Sequence, residues 1–296
     1  MTHWQTTRYR IDLSQPRVMG IVNITPDSFS GDGLPVDLRT QLARCEHLIG
    51  EGADILDIGG VSTRPGSRPV PLDQELARVL PLVREAMKLG VPVSVDTGKP
   101  EVMAAVLDLG ADIINDVWAL RAPGALGIVA THPACGVCLM HMHGDPQTMQ
   151  LMPMEGDAPA QVLLFLQQAA QALQERGVQN SRIVLDPGIG FGKTVAQNFA
   201  LLARQRELLA AGYPLLVGWS RKSALGAALG GEDGHAPPPD LRGTASVAAA
   251  LLAIERGARI VRVHDVAATA QAIKIWLAMN SKMVVDCSLP VQHQVQ

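Results

Sequence analysis

Eight short apolar runs recur along the chain: VMGIVN (18–23), DILDIG (54–59), PVSVD (92–96), DIINDV (112–117), GVCLMH (136–141), RIVLD (182–186), PLLVG (214–218) and ARIVRVH (258–264). Each is nearly all apolar until its last residues, as parallel strands buried on both faces are, and the intervals between them can hold a crossover helix. Helical spacing is visible in those intervals. Leu38, Leu42, Cys45 and Ile49 fall three or four apart, as do Leu76, Leu80, Val83 and Met87, so each segment has an apolar face to lay on a sheet. The junctions EGADILD, LGADIIND and RGARIVR each place Gly then Ala before a strand, the pattern of a glycine C-cap feeding a short loop. Eight βα units fit an α/β fold closed into a (β/α)8 TIM barrel better than an open doubly wound sheet.

The expected organisation is a single domain: a hairpin over residues 1–16, a barrel over 17–281, and a polar tail over 282–296 that frays. GGEDGHAPPPD (230–240) has six Gly or Pro residues and is expected to be a mobile loop between the helix after strand seven and strand eight. With 47% hydrophobic and 18% charged residues in 296, the chain can build a large core. A net charge of -3 and the lack of a Lys/Arg stripe argue against nucleic acid as a partner. MTHWQTTRYRIDLS lacks the apolar core of a signal peptide, and no apolar run reaches the roughly 18 residues of a membrane span. Four cysteines, Cys45, Cys135, Cys138 and Cys287, suit a reducing compartment, so a cytoplasmic location without membrane contact is expected.

In such a barrel the carboxyl ends of the strands converge on one open face. Read in order, they supply Asn23, then Thr63 and Arg64 in GGVSTRPGS, Asp96, Asn115 with Asp116, Met140 with His141, Asp186, Arg221 and Lys222 in GWSRKS, and Arg262 with His264. One polar residue at a strand end usually just begins a loop. A full ring is different, because desolvating that many polar and charged groups costs several kcal/mol each unless a ligand compensates. Asp96, Asn115 and Asp186 offer acceptors to a heterocycle rich in N–H groups, while Arg262, His264 and the Ser/Thr loop offer donors to an anion.

Two other motifs carry less. LDPGIGFGKT resembles a phosphate-cradling loop, but Pro187 stands where that pattern needs its first glycine. Cys135, Cys138, His141 and His143 lie close in sequence, yet strand alternation turns Cys138 and His141 to opposite faces and no second CxxC exists, so buried thiols are expected there rather than a metal.

NITPDSFS, GGVSTRPGS, VSVDT, IINDV, LMHM, LDPGIGFGK, SRKS and RVHDV, in that order and over about residues 15–280, resemble the dihydropteroate synthases of the folate pathway. The resemblance implies a (β/α)8 enzyme that joins 6-hydroxymethyl-7,8-dihydropterin diphosphate to 4-aminobenzoate with Mg2+, and that pairs as a homodimer. It assigns the pterin to Asp96, Asn115, Met140, Asp186 and Lys222, and the diphosphate to Asn23, Thr63, Arg262 and His264, with Asn23 also helping to hold Mg2+. Pro26, Phe29, Arg64, Pro65, Phe191, Lys222 and Ser223 would shape the aminobenzoate site. Reaction at the pterin CH2 through a stabilised cation would then involve Asp27 or Asp32, Phe29, Lys222, Arg262 and His264. Two positions depart from the family pattern. The usual SFSDGG is SFSGDG here, so Asp32 is displaced by one residue, and Val61 replaces a glutamate. A pterin-binding methyl-transfer barrel and a binding paralogue without activity are the competing readings; the former has less use for an anion site on strand eight.

Overall fold

The computed structural model describes residues 2–24, 37–62, 67, 69–145, 148–149, 151–230 and 235–280. All eight apolar runs are strands: β3 (Arg17–Asn23), β4 (Ile55–Gly59), β5 (Val93–Asp96), β6 (Ile113–Asp116), β7 (Gly136–Met140), β8 (Ile183–Asp186), β9 (Leu215–Val217) and β10 (Ala258–Val263). They pair in chain order, parallel throughout, and β10 returns to β3 to close the barrel. Helices α1 (Leu38–Glu51), α2 (Leu72–Ala86), α3 (Pro100–Asp108), α4 (Ala125–Thr131), α5 (Ala158–Gln174), α6 (Val195–Ala203), α7 (Ser223–Leu229), α8 (Gly243–Glu255) and α9 (Val266–Asn280) follow the strands. Parallel neighbours need crossover connections, which are right-handed as a rule, so the helices form an outer layer and every barrel strand points the same way.

The glycine junctions behave as their sequence suggests. Gly52, Gly110 and Gly257 adopt φ of 107°, 94° and 97°, which turns each helix end back into the next strand. The alanines that follow, Ala53, Ala111 and Ala258, are buried where the chain re-enters the barrel. The helical stripes pack on the core, with Cys45 and Val83 fully buried, but other deeply buried positions lie beside them. In α2 these are Val79, Leu82 and Ala86, with Leu76, Leu80 and Met87 packed at their flanks. A helix wedged between two neighbours and a sheet buries a wider arc than a single stripe.

The hairpin β1 (His3–Gln5) and β2 (Arg10–Asp12) pairs antiparallel and closes the floor. Its Trp4, Ile11 and Leu13 join Met19, Ile55, Ile113, Cys138, Val184, Leu216 and Ile260 in one cluster inside the barrel, and Trp4 Nε1 donates to the Arg182 carbonyl at 2.9 Å. Those barrel residues share one face of their strands. Two residues further along the same faces stand Asp57, Asn115, Met140, Asp186 and Arg262, so the interior changes from apolar to polar within a single step of the pleat.

The 230–240 segment lies between the helix after strand seven and strand eight, as expected, but one more helix stands between it and that strand. It joins α7 to α8, its described part ending in a short 3-10 turn (Pro239–Arg242), and α8 then precedes β10. The tail over 282–296 lies outside the described residues. Among the described residues no helix is long and apolar enough to cross a membrane.

Candidate active site

Asn23, Asp96, Asn115, Met140, Asp186, Lys222, Ser223, Arg262 and His264 all stand at or just beyond the carboxyl ends of barrel strands. Adjacent tips are in register: Asn23 beside Gly59, Gly59 beside Asp96, Asp96 beside Asn115, and Met140 beside Asp186. Pro26, Asp27, Phe29 and Asp32 in the first loop, and Thr63, Arg64 and Pro65 in the second, lie outside the described residues.

At the centre is an ion-pair cluster. Arg262 donates from Nε to Asp57 at 2.6 Å and from Nη2 to Asp96 at 2.9 Å, while Asn115 Nδ2 donates to both Asp57 oxygens at 3.2 and 3.3 Å. The acceptors and donors of the ring are therefore interleaved rather than sorted to two sides. Asp57 is fully buried. No role was assigned to it from sequence, although an aspartate in the middle of the apolar run DILDIG is a costly placement that demands partners. Only the Nη1 amino group of Arg262 has no hydrogen-bond partner among the described residues.

The carboxylates here are held out of their ordinary range. Burial pushes Asp96 up to about 7 against the pull of Arg262, with Asp57, Asp116 and Glu75 adding to the rise. Burial also lifts Asp186 to about 6, opposed by the Gly188 N–H, which donates to it at 2.7 Å, and by Lys222 and Arg262. Two buried acids that resist ionising suit a partner that brings its own N–H donors.

The loop from β8 to α6 builds the next wall. Gly188 and Gly192 adopt φ of 67° and 65°, and a Cβ at either would run into the carbonyl oxygen of His141 or His143. Lys193 is buried and donates to the carbonyls of Gly188 (2.8 Å), Phe191 (3.0 Å) and His141 (3.3 Å), burial bringing its amine down to about 7. The lysine of LDPGIGFGK is thus a clasp within its own loop, in keeping with the rejection of a phosphate-cradling role. That clasp holds Phe191 in an apolar cluster with Met140, Val117, Met142 and Met149, and the Lys222 ammonium sits 4.2 Å from the Phe191 ring centroid. Ser223 is the first residue of α7, directly after Lys222.

Two polar strand ends face away from this chamber. Asp116 accepts the backbone N–H groups of Trp118 and Leu120 at 2.8 and 2.7 Å and so shapes the loop after β6. His141 packs edge-on against Phe165 and is held neutral by burial, to about 3. Cys135 and Cys138 are buried free thiols, and no group of three His, Cys, Asp or Glu that could hold a metal occurs among the described residues.

A barrel mouth with these buried acids, an arginine threaded between them and an apolar wall has the chemistry to receive a nitrogen-rich ring. The pterin-binding enzyme family matches residues 19–264, and the chain belongs to that family. A dihydropteroate synthase of Neisseria meningitidis serogroup C is 49% identical over 94% of this chain and 97% of its own length. The Burkholderia cenocepacia dihydropteroate synthase structure complexed with 7,8-dihydropteroate is 50% identical, covers 94% of this chain and 96% of its own, and has a TM-score of 0.85. That of Xanthomonas albilineans with 4-aminobenzoic acid is 45% identical, covers 95% and 99%, and has a TM-score of 0.87. Within the pterin-binding enzymes the chain is accordingly one of the dihydropteroate synthases.

Proposed function

We propose that the chain joins 6-hydroxymethyl-7,8-dihydropterin diphosphate to 4-aminobenzoate, giving 7,8-dihydropteroate and diphosphate, with the pterin seated on Asp96, Asn115 and Asp186. The observation that carries the reading is the set of buried, hard-to-ionise Asp96 and Asp186 beside Asn115 at the barrel mouth. Pterin N–H groups add hydrogen-bond donors to those Asp96 and Asp186 already have from Arg262 and the Gly188 N–H, Met140 packs against the ring, and Lys222 lies across from it over Phe191.

Substitution at the pterin CH2 is dissociative. The C–O bond to diphosphate breaks, its electron pair leaves with the anion, and the ring nitrogens share the positive charge that remains. The aminobenzoate nitrogen then bonds to the carbon and loses its proton to the departing anion or to water. Asp96 and Asp186, once ionised against the pterin, favour that cation, and Arg262 Nη1 with His264 meets the anion. Phe191, Lys222 and Ser223 would hold the aminobenzoate, together with Pro26, Phe29, Arg64 and Pro65.

Mg2+ takes few protein ligands and keeps waters and phosphate oxygens. One amide oxygen at the strand tip, that of Asn23, and the lack of a carboxylate cage among the described residues fit an ion carried in with the diphosphate. When bound, Mg2+ neutralises charge on the leaving group. Thr63 would complete the diphosphate site. The enzyme is further proposed to be a cytoplasmic homodimer, with residues 17–281 forming the single catalytic unit; sedimentation at micromolar concentration checks the pairing.

Asp32 is assigned to the cationic centre despite its one-residue displacement, since flanking glycines let the backbone compensate. Product formation with both substrates and Mg2+ tests the whole reading, and no dihydropteroate would end it. Asp32→Ala should cut turnover at least tenfold; unchanged turnover would move the role to Asp27. Calorimetry with pterin diphosphate and with methyltetrahydrofolate separates this activity from methyl transfer, the first being the expected ligand.

A further inference from the structure

We infer that Ser220 fixes the tautomer of His264, so that the imidazole meets the diphosphate as a neutral Nε2–H donor rather than as an imidazolium. The inference rests on the reading of His264 as a diphosphate ligand. It begins with the ladder between β9 and β10, whose last registered pair is Val217 with Val261. Ser220 and His264 each lie three residues beyond that pair, and their side chains continue the join where the backbone ladder has stopped.

The His264 backbone N–H donates to Ser220 Oγ at 3.1 Å, and the same oxygen is 2.9 Å from His264 Nδ1. Ser220 is only 7% exposed. A hydroxyl has one hydrogen and two lone pairs. The backbone N–H occupies one lone pair, and the hydrogen of a buried hydroxyl needs an acceptor. Among the described residues the only acceptor within reach of Ser220 Oγ is His264 Nδ1. If Nδ1 carried a hydrogen instead, both lone pairs would be consumed and the hydroxyl hydrogen would be left without an acceptor. The balance of donors therefore puts the imidazole hydrogen on Nε2, on the ring edge opposite Ser220.

The neighbouring residues brace this pair. Arg221 has a φ of 60°, and its guanidinium is bonded to Asp265 at 2.6 and 3.2 Å, so consecutive residues of the two strand ends are joined twice over. Ser246 Oγ accepts the Arg221 N–H at 2.9 Å and holds the same turn from α8. Ser220 is thus a positioning residue: it does not reach the anion, but it decides which ring nitrogen offers a donor. A donor fixed in this way can bind the leaving diphosphate without first taking a proton from solvent.

Imidazole nitrogen shifts in the 15N-labelled full chain read the tautomer directly, with His264 assigned by its loss from the spectrum of His264→Gln. A pyrrole-type Nε2 and a pyridine-type Nδ1 in the unliganded enzyme at pH 7.5 are expected. A hydrogen on Nδ1, whether as the other tautomer or as the imidazolium, overturns the inference. Ser220→Ala should mix the tautomers and raise KM for pterin diphosphate about fivefold with little change in kcat, the worth of roughly one hydrogen bond. Ser220→Thr, which keeps the hydroxyl, should restore the Nε2–H signal; a signal in Ser220→Ala identical to that of the parent also overturns the inference. Adding inorganic diphosphate with Mg2+ should shift the Nε2 resonance. Its failure to move, with the tautomer as expected, would instead remove His264 from the diphosphate site.

Discussion

Asp57 holds the acidic chamber together without being required to touch either substrate, and replacing it should cost stability and pterin affinity at once. Its carboxylate is fully buried and serves Arg262 Nε at 2.6 Å and Asn115 Nδ2 at 3.2 Å. Removing one partner of a buried ion pair costs about 3–5 kcal/mol. Arg262 keeps its bond to Asp96, which places this loss near the low end, about 3 kcal/mol, and the stranded Asn115 amide adds about 1 kcal/mol. Asp57→Ala should therefore lose about 4 kcal/mol, a fall in Tm of roughly 8 °C for a domain of this size. Asp57→Asn keeps the volume and an acceptor oxygen but not the charge, and should lose about half as much. Thermal unfolding by circular dichroism measures both variants, and KM for pterin diphosphate should rise at least tenfold in Asp57→Ala as Arg262 swings onto Asp96. A Tm within about 2 °C of the parent, with unchanged KM, would refute the claim that this cluster is held from its buried side.

The raised pKa values give a sign for the pH dependence. A pterin needs ionised Asp96 and Asp186, so affinity for a pterin lacking diphosphate should fall as pH drops through about 7 to 6, and a flat calorimetric profile from pH 8 to 5.5 would contradict the seating on these acids. The ligand-free fold should respond oppositely at these two groups: the native state binds protons that the unfolded chain releases, so their penalty is relieved as pH falls toward 4. Lys193→Met leaves the carbonyls of His141, Gly188 and Phe191 without their shared donor, and KM for 4-aminobenzoate should rise about tenfold, more than that for the pterin, in steady-state assays. Gly188→Ala and Gly212→Ala both face positive φ, but only at Gly188 does the new Cβ strike a carbonyl oxygen; at Gly212 nothing lies within 4 Å. Denaturant unfolding should cost Gly212→Ala about 1 kcal/mol and Gly188→Ala at least about 3 kcal/mol, and equal losses would mean that backbone conformation alone governs both.

The strands were legible because parallel strands buried on both faces are mostly apolar, and that pattern needs no partner to be seen. The αβ junctions were legible for a similar reason: a helix that must reverse into a strand calls for glycine, then for a small residue at the point of entry, as in Gly52–Ala53 and Gly110–Ala111. The common rim of the described candidate residues followed, since in a closed barrel strand ends from residue 23 to residue 264 meet at one mouth whatever their distance along the chain. What the chain order could not give was pairing. Strand parity already turns Asp116 and His141 away from Asn115 and Met140, but only the fold shows what they meet there, the backbone of the loop after β6 and the Phe165 ring. Asp57, Lys193 and Ser220 acquire their roles only from Arg262, from three loop carbonyls and from His264, partners 205, 2 to 52, and 44 residues away. A residue's type and the parity of its strand fix which groups are available and which side they face, and these are local properties. Which donor meets which acceptor depends on the curvature and closure of the whole sheet, and so on atoms that the linear chain leaves far apart.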